Sequence, residues 1–274
     1  MTTGPPVALS IAGSDSGGGA GIQADLKTFA ALGVYGTSAV TAITAQNTTA
    51  VLRSHPLPAD LVVAQIEAVD DDLAVIAVKT GMLATAEIAA AVADLAEAGR
   101  LPNLVVDPVL VSSSGTRLFD RHAEATYLDR LFPVARVITP NRMEAEALLG
   151  ERIATRDDQR DAARALGIYG SDVVIVKGGH PVADHDSVAI DVVWDGRTIT
   201  ELRAPRIDTG NVHGTGCTFA AAITAGFARG LELPDALGAA KAFVQRAIQG
   251  AVGWQLGGGH GPLDHFEFNQ EEPT

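Results

Sequence analysis

The densest chemistry in the chain lies in Asn211-Val212-His213-Gly214-Thr215-Gly216-Cys217-Thr218. It leads into Thr218 to Gly230, a run of mostly Ala, Gly, Ile and Phe that reads as a helix buried on most sides. The first N–H groups of such a helix have no intrahelical partner. Glycine lets a ligand approach the backbone closely. Orphan N–H groups, the helix dipole and a Gly-rich lead-in make an anion site of Gly214, Thr215, Gly216 and Cys217. The single cysteine of the chain sits where a helix N-terminus is expected to stabilise a thiolate. The plain alternative is a helix that starts with glycine for packing and carries an inert thiol.

Further candidates stand where short apolar runs end. Gln46 and Asn47 follow Ser38 to Ala45, at the carboxyl end of an expected strand, where open α/β sheets bind ligands. An amide there offers a donor and an acceptor, which suits a heterocyclic ring; it also suits a loop backbone. Met82 follows the expected strand Leu73 to Val78 and reads as a thioether cover for a flat ring or as core filler. Asp107 follows Asn103 to Val106 and precedes Pro108, a fitting place for a magnesium-side carboxylate. Glu144 lies three residues after Asn141, an expected N-cap. A capping box and a carboxylate aimed at a metal explain that spacing equally. Lys177 ends Asp172 to Val176 with Gly-Gly behind it and reads as a point charge for phosphate.

The first loop, Gly13 to Gly21, follows the expected strand Val7 to Ala12 and precedes a helix ending at Gly33. It lacks the Lys-Ser/Thr of a P-loop. Gly19 to Ala24 matches a loose dinucleotide pattern, but the second strand ends in neutral amides where that motif needs an acid.

These residues need a scaffold of alternating strands and helices. Helices are expected over Pro58 to Val69, Ala84 to Ala98, Ala154 to Leu166 and Pro234 to Val252. Strands are expected as above and at Arg136 to Ile138, with a polar loop at Ser112 to Gly115. Val188 to Trp194 and Arg197 to Arg203 flank Asp195-Gly196 and read as a hairpin, the one clear antiparallel element. The 274 residues, with 29 glycines and 47% hydrophobic content, read as a single domain over 1–274. A net charge of −13 argues against nucleic-acid or anionic-membrane binding. One cysteine excludes an intramolecular disulfide. No signal peptide or transmembrane run is read, so a soluble cytoplasmic protein is expected.

Taken together, IAGSDSGGGAGIQADLKTF, AVTAITAQNT, KTGML, VVDPV, TPNRMEAEAL, VVIVKGGH, NVHGTGCTFAAAI and GHGPLDHF span nearly all of residues 7 to 266. In that order they resemble the hydroxymethylpyrimidine/phosphomethylpyrimidine kinases of thiamine biosynthesis, within the ribokinase-like superfamily. The resemblance implies a three-layer αβα fold, with a mostly parallel central sheet, helices on both faces and a small antiparallel hairpin. It implies that Gly13, Asp25, Gln46, Met82 and Val109 form the pyrimidine pocket. Asn141 and Glu144 match an N-x-x-E motif that organises magnesium and phosphate, with Asp107 near the metal and Lys177 and Thr215 on the phosphates. Gly214 to Cys217 match the anion hole for the transferred phosphoryl group, with Cys217 as a candidate base. ATP is then the co-substrate, Mg2+ the cofactor, the pyrimidine and its monophosphate the acceptors, and a homodimer the assembly. A pyridoxal kinase of the same superfamily is the alternative. The chain departs from the pattern at Gly210, where relatives often carry Lys, and at Ser16-Gly17, where Pro-Ser is commoner and little effect on chemistry is expected. The GHGPLDHF tail matches without an evident role.

Overall fold

The computed structural model describes residues 4–110, 121–179 and 187–268; the loop read at Ser112 to Gly115 lies outside the described residues. In chain order the elements are β1 (Val7–Asp15), α1 (Gly21–Ala31), β2 (Tyr35–Gln46), β3 (Val51–Pro56), α2 (Ala59–Asp70), β4 (Val75–Thr80) and α3 (Ala86–Glu97). Then come β5 (Val105–Val106), α4 (Arg121–Thr126), a π turn (Tyr127–Leu131), a 3-10 turn (Phe132–Val134), β6 (Val137–Ile138) and α5 (Arg142–Leu149). The chain closes with α6 (Arg156–Gly167), β7 (Val173–Val176), β8 (Val188–Trp194), β9 (Ile199–Pro205), α7 (Thr215–Ala228) and α8 (Leu233–Gly250).

The strands form one nine-stranded sheet in the order β3-β2-β1-β4-β5-β6-β7-β8-β9. Pairing is parallel from β2 through β7. It is antiparallel at β2–β3, β7–β8 and β8–β9. Alternate residues of the same strands feed separate cores, as a two-residue side-chain period requires. Val105, Val137, Val173 and Ile175 face one core with α7 and α8. Val106, Ile138, Val174 and Val176 face the other with α2, α3, α5 and α6. Strands buried on both faces read as unbroken apolar runs, which is why β7 is VVIV. The result is the expected three-layer αβα arrangement.

The structure corrects several expectations. The hairpin at Asp195-Gly196 is present as β8–β9, but β3 adds a second antiparallel partner at the opposite edge. That strand was invisible in the sequence because five of its six residues are exposed and show no apolar alternation. β4 runs two residues later than expected and takes in Lys79 and Thr80. A lysine is tolerated inside a buried strand here because Asp25 neutralises it. The helical turns at 127–134 were not foreseen. α7 starts at Thr215, not Thr218, so Gly216 and Cys217 belong to its first turn.

Chain direction across the sheet reverses between β1 and β4, since β2 and β3 lie on one side of β1 and β4 to β9 on the other. A crevice opens at such a switch point, outside the carboxyl ends of the strands. β1, β2, β4, β5, β6 and β7 all deliver loop residues there.

Candidate active site

A pocket of about 700 Å³ fills that crevice. Gly13, Gln46, Met82, Val109, Asp107, Asn141, Glu144, Lys177 and Gly214 to Cys217 all line it. Of the residues expected in the site, only Asp25 stays off the wall. It is fully buried behind Lys79, which does face the pocket.

The ring end is built around β1. A β-carbon at Gly13 would stand 2.4 Å from Met82 Cε, so only glycine leaves that thioether in place. Thr41 Oγ1 donates to the Met82 carbonyl at 2.6 Å and fixes the turn. Val109 takes φ 43°, a backbone that a β-branched residue rarely adopts. Ser16 Oγ donates to the Gln46 carbonyl and accepts from its N–H, both at 2.8 Å. Ser16 thus clamps the Gln46 backbone.

The anion end is built around α7. Gly214 is its N-cap with φ 85°. Thr215 N–H and Oγ1 both donate to the Val212 carbonyl, at 3.2 and 2.7 Å. The Thr215 donors therefore turn back on the loop, and the N–H groups of Gly216 and Cys217 are left for a ligand. A β-carbon at Gly216 would lie 3.2 Å from Lys177 Nζ and 3.7 Å from Asp107 Oδ2, so both charges face this turn. Lys177 Nζ donates to Asp107 Oδ1 at 2.6 Å, and Thr139 Oγ1 donates to the same oxygen at 3.0 Å. Burial pulls the Lys177 ammonium down, but Asp107 and Glu144 outweigh it and hold its pKa above the ordinary value.

Asn141 and Glu144 form a complete capping box. Asn141 Oδ1 accepts from Glu144 N–H at 3.0 Å, and Glu144 Oε2 accepts from Asn141 N–H at 2.7 Å. Burial pushes the Glu144 carboxyl up to about 7 against the pull of Lys177, with Asp107 adding to the rise. Two buried carboxylates line the pocket, with the Lys177 ammonium paired to Asp107, and fit a hard cation that takes oxygen ligands. Among the described residues no cluster of three or more His, Cys, Asp or Glu is placed to hold a metal. Magnesium suits such a site, because it keeps waters and takes phosphate oxygens beside one or two carboxylates.

Cys217 departs from expectation. Burial pushes its thiol up to about 11; Lys79 draws it down, and Asp25 and Asp107 push it further up. The helix N-terminus does not prevail over desolvation, so the thiol is neutral at rest.

Asp15, Lys79 and His213 form a framework for the site that the reading of strand ends does not single out. Asp15 accepts from the N–H groups of Gly17, Gly19 and Ala20 at 2.8, 3.1 and 2.9 Å, and lies 3.0 Å from His213 Nε2. Burial raises its carboxyl, but the His213, Ala20 and Gly17 hydrogen bonds win and hold it below its ordinary value. An acidic residue followed by Ser-Gly-Gly-Gly is the signal that marks such a turn.

The tail braces the start of α7. His213 pairs with Pro262 in a parallel bridge, and its N–H donates to Gly261 O at 3.0 Å. Asn211 Nδ2 donates to Ala251 O and Trp254 O at 2.6 and 3.0 Å. Thr218 Oγ1 and His265 Nε2 are 2.9 Å apart, with both residues buried. Burial and then the Lys27 charge pull the His265 imidazole from 6.5 down to about 4. The folded chain thus refuses a proton that the unfolded one accepts. His265 stability is fully present above pH 6.5 and is lost as pH falls towards about 4, roughly 3 kcal/mol in all. Urea denaturation at several pH values across that window should show the loss, and His265→Gln should flatten it. An unchanged slope in that variant would place the acid sensitivity elsewhere.

Comparison with known proteins gives a consistent picture. A family model described as phosphomethylpyrimidine kinase matches residues 15–264. The hydroxymethylpyrimidine/phosphomethylpyrimidine kinase of Rhizobium meliloti is 50% identical over 264 residues, covering 95% of this chain and 97% of its own. A solved phosphomethylpyrimidine kinase from Clostridium difficile has a TM-score of 0.77 at 39% identity, over 89% of this chain and 99% of that one. An ADP complex of Bacillus subtilis pyridoxal kinase has a TM-score of 0.87 at 39% identity, over 97% and 99% of the two chains.

Proposed function

The chain belongs to the phosphomethylpyrimidine kinase family, and on that premise we propose how its pocket divides the work. The enzyme phosphorylates 4-amino-5-hydroxymethyl-2-methylpyrimidine and then its monophosphate, with ATP as donor, towards thiamine diphosphate. The observation that supports this reading is the facing of Gly216, Lys177 and Asp107 across a pocket whose other end holds Gln46 and Met82. We take the whole chain as one catalytic unit working in the cytoplasm, where ATP is present.

Phosphoryl transfer demands alignment and charge neutralisation more than covalent chemistry. Gln46 and Met82 hold the ring so that its hydroxymethyl oxygen points at the α7 N-terminus. The N–H groups of Gly216 and Cys217 meet charge developing on the transferred group, aided by the helix dipole. Lys177 neutralises the bridging phosphate oxygens, and Asn141 borders the same space. Asp107 and Glu144 would hold magnesium, which when bound screens the phosphate charges from each other.

In the first reaction the alcohol oxygen forms the new O–P bond, ADP leaves, and the alcohol proton passes to Cys217 Sγ. Only the thiolate accepts a proton, and its pKa is pushed up to about 11. The first rate should therefore climb with pH from neutrality upward. The second acceptor is an already ionised phosphate and needs no base, so its rate should stay nearly flat. Cys217→Ala should slow the first transfer about 10²-fold and the second less than about 3-fold. Product analysis with ATP, magnesium and each acceptor, with pyridoxal run alongside, separates the rates. Equal losses in both would leave Cys217 only a positional role, and preferred turnover of pyridoxal would overturn the pyrimidine assignment.

A further inference from the structure

His213 does not touch the transferred group in the scheme above, yet it sits against the residue that reads the ring. Its Nε2 lies 3.0 Å from Asp15 Oδ2 and 3.3 Å from Gln46 Nε2. At the other end of that amide, Thr44 Oγ1 is 3.3 Å from Gln46 Oε1 and 2.9 Å from the Ser14 carbonyl. The placement of hydrogens decides which way that amide faces. Asp15 is an ionised acceptor held by three backbone N–H groups, so His213 Nε2 must present a proton to it. As placed, Gln46 Nε2 then sets a second donor against that N–H, so the amide is assigned with its two ends exchanged, its oxygen towards His213 and sharing that N–H. A hydroxyl has one proton, and Thr44 gives it to Ser14 O at the shorter distance. Thr44 Oγ1 is therefore an acceptor, and the Gln46 group facing it is the NH2. In the opposite orientation, an imidazole lone pair would face the Asp15 carboxylate.

We propose that His213, anchored by Asp15, is a specificity-determining positioning residue. It fixes the Gln46 amide with its oxygen towards His213 and its NH2 towards Thr44. This rests on the pyrimidine reading above and adds the direction of recognition. One lone pair and one N–H of the amide are left for the ring, acceptor on the His213 side and donor on the Thr44 side. An aminopyrimidine edge, with an amino donor beside a ring-nitrogen acceptor, complements that order. A 4-oxo ring offers a carbonyl acceptor beside an N–H donor, the reverse order, and meets like with like. Sites built on such paired polar groups discriminate strongly, because the wrong ligand leaves them unsatisfied.

The test compares kcat/KM for 4-amino-5-hydroxymethyl-2-methylpyrimidine and its 4-oxo analogue in three proteins. The wild type should prefer the amino compound by at least about 10³-fold. His213→Leu removes the N–H, lets the amide rotate, and should bring the ratio to within about tenfold. His213→Gln places an amide N–H near the lost Nε2 and should restore a ratio above about 10²-fold. A loss of fold would lower both substrates together and leave the ratio of the surviving enzyme intact. A ratio in His213→Leu equal to that of the wild type overturns the role of His213. Wild-type enzyme that turns over neither compound overturns the pyrimidine reading instead.

Discussion

Gly214→Ala should lower kcat for both phosphorylations by at least about 10²–10³-fold, the scale of losing one oxyanion-type donor. The argument is steric before it is catalytic. Gly214 holds φ 85° as the N-cap of α7, a left-handed backbone that costs an alanine about 1 kcal/mol or more. A β-carbon there would stand 1.8 Å from the Gly19 carbonyl oxygen and 2.9 Å from its carbon, neither of which can rotate aside. The first loop and the start of α7 must then separate. That separation moves the N–H groups of Gly216 and Cys217 away from Lys177 and Asp107, and shifts of about 1 Å in such sites cost on the order of 10²-fold. Gly210→Ala is the control, because a β-carbon at Gly210 meets nothing within 4 Å and its φ is not left-handed. Steady-state rates should be unchanged in Gly210→Ala and collapse in Gly214→Ala. Near-wild-type turnover in Gly214→Ala would mean that the two loops are not held in contact during catalysis.

What the sequence made legible follows a physical boundary. Gln46, Asp107 and Lys177 could be read because each breaks an apolar run, and Met82 because it follows one closely; run ends are strand ends in a buried sheet. The anion site could be read because glycine before an apolar helix has a local meaning; even so, its first turn looked like loop, and α7 begins at Thr215. Asp25 entered only through the family resemblance, and its local image misled, since on a helical pattern it resembles a surface charge whereas it is fully buried. Its reason lies 54 residues away in Lys79. His213 and Asp15 are 198 positions apart, and nothing local in either stretch announces the other. β3 is held by ladder bonds to β2 and not by its own side chains, so its pattern is silent. Local rules found single groups at the sheet's edge. Pairs closed by the tertiary fold, which set the charges of those groups, required the coordinates.

Lys79→Met should cost about 3–5 kcal/mol, the usual penalty for stranding one member of a buried ion pair. Lys79 and Asp25 are both fully buried, with Nζ 2.9 Å from Oδ1 and 2.8 Å from Oδ2. Ser10 Oγ donates to Oδ2 at 2.6 Å, and among the described residues Lys79 is the cation paired with this carboxylate. Burial works to lower the lysine pKa, but Asp25, with Asp107 beyond it, reverses that and keeps the ammonium charged. Without that charge, burial pushes the Asp25 carboxyl higher still. A raised carboxyl favours the folded state below its unfolded pKa and loses that advantage as pH rises. The Lys79→Met deficit should therefore be largest at about pH 8 and smaller at about pH 5, as denaturant titrations at both would show. Removing both charges in Asp25→Leu/Lys79→Met should return most of the stability, because no ion is left unpaired. Turnover should not return with it. Lys79 draws the Cys217 thiol down more than Asp25 pushes it up, so losing both charges leaves the thiol harder to ionise. The first phosphorylation should stay at least about tenfold slow while the second recovers further. A deficit below about 1 kcal/mol, or one indifferent to pH, would show the pair is not ionised. Recovery of the first rate in the double variant would confine Lys79 to holding the fold.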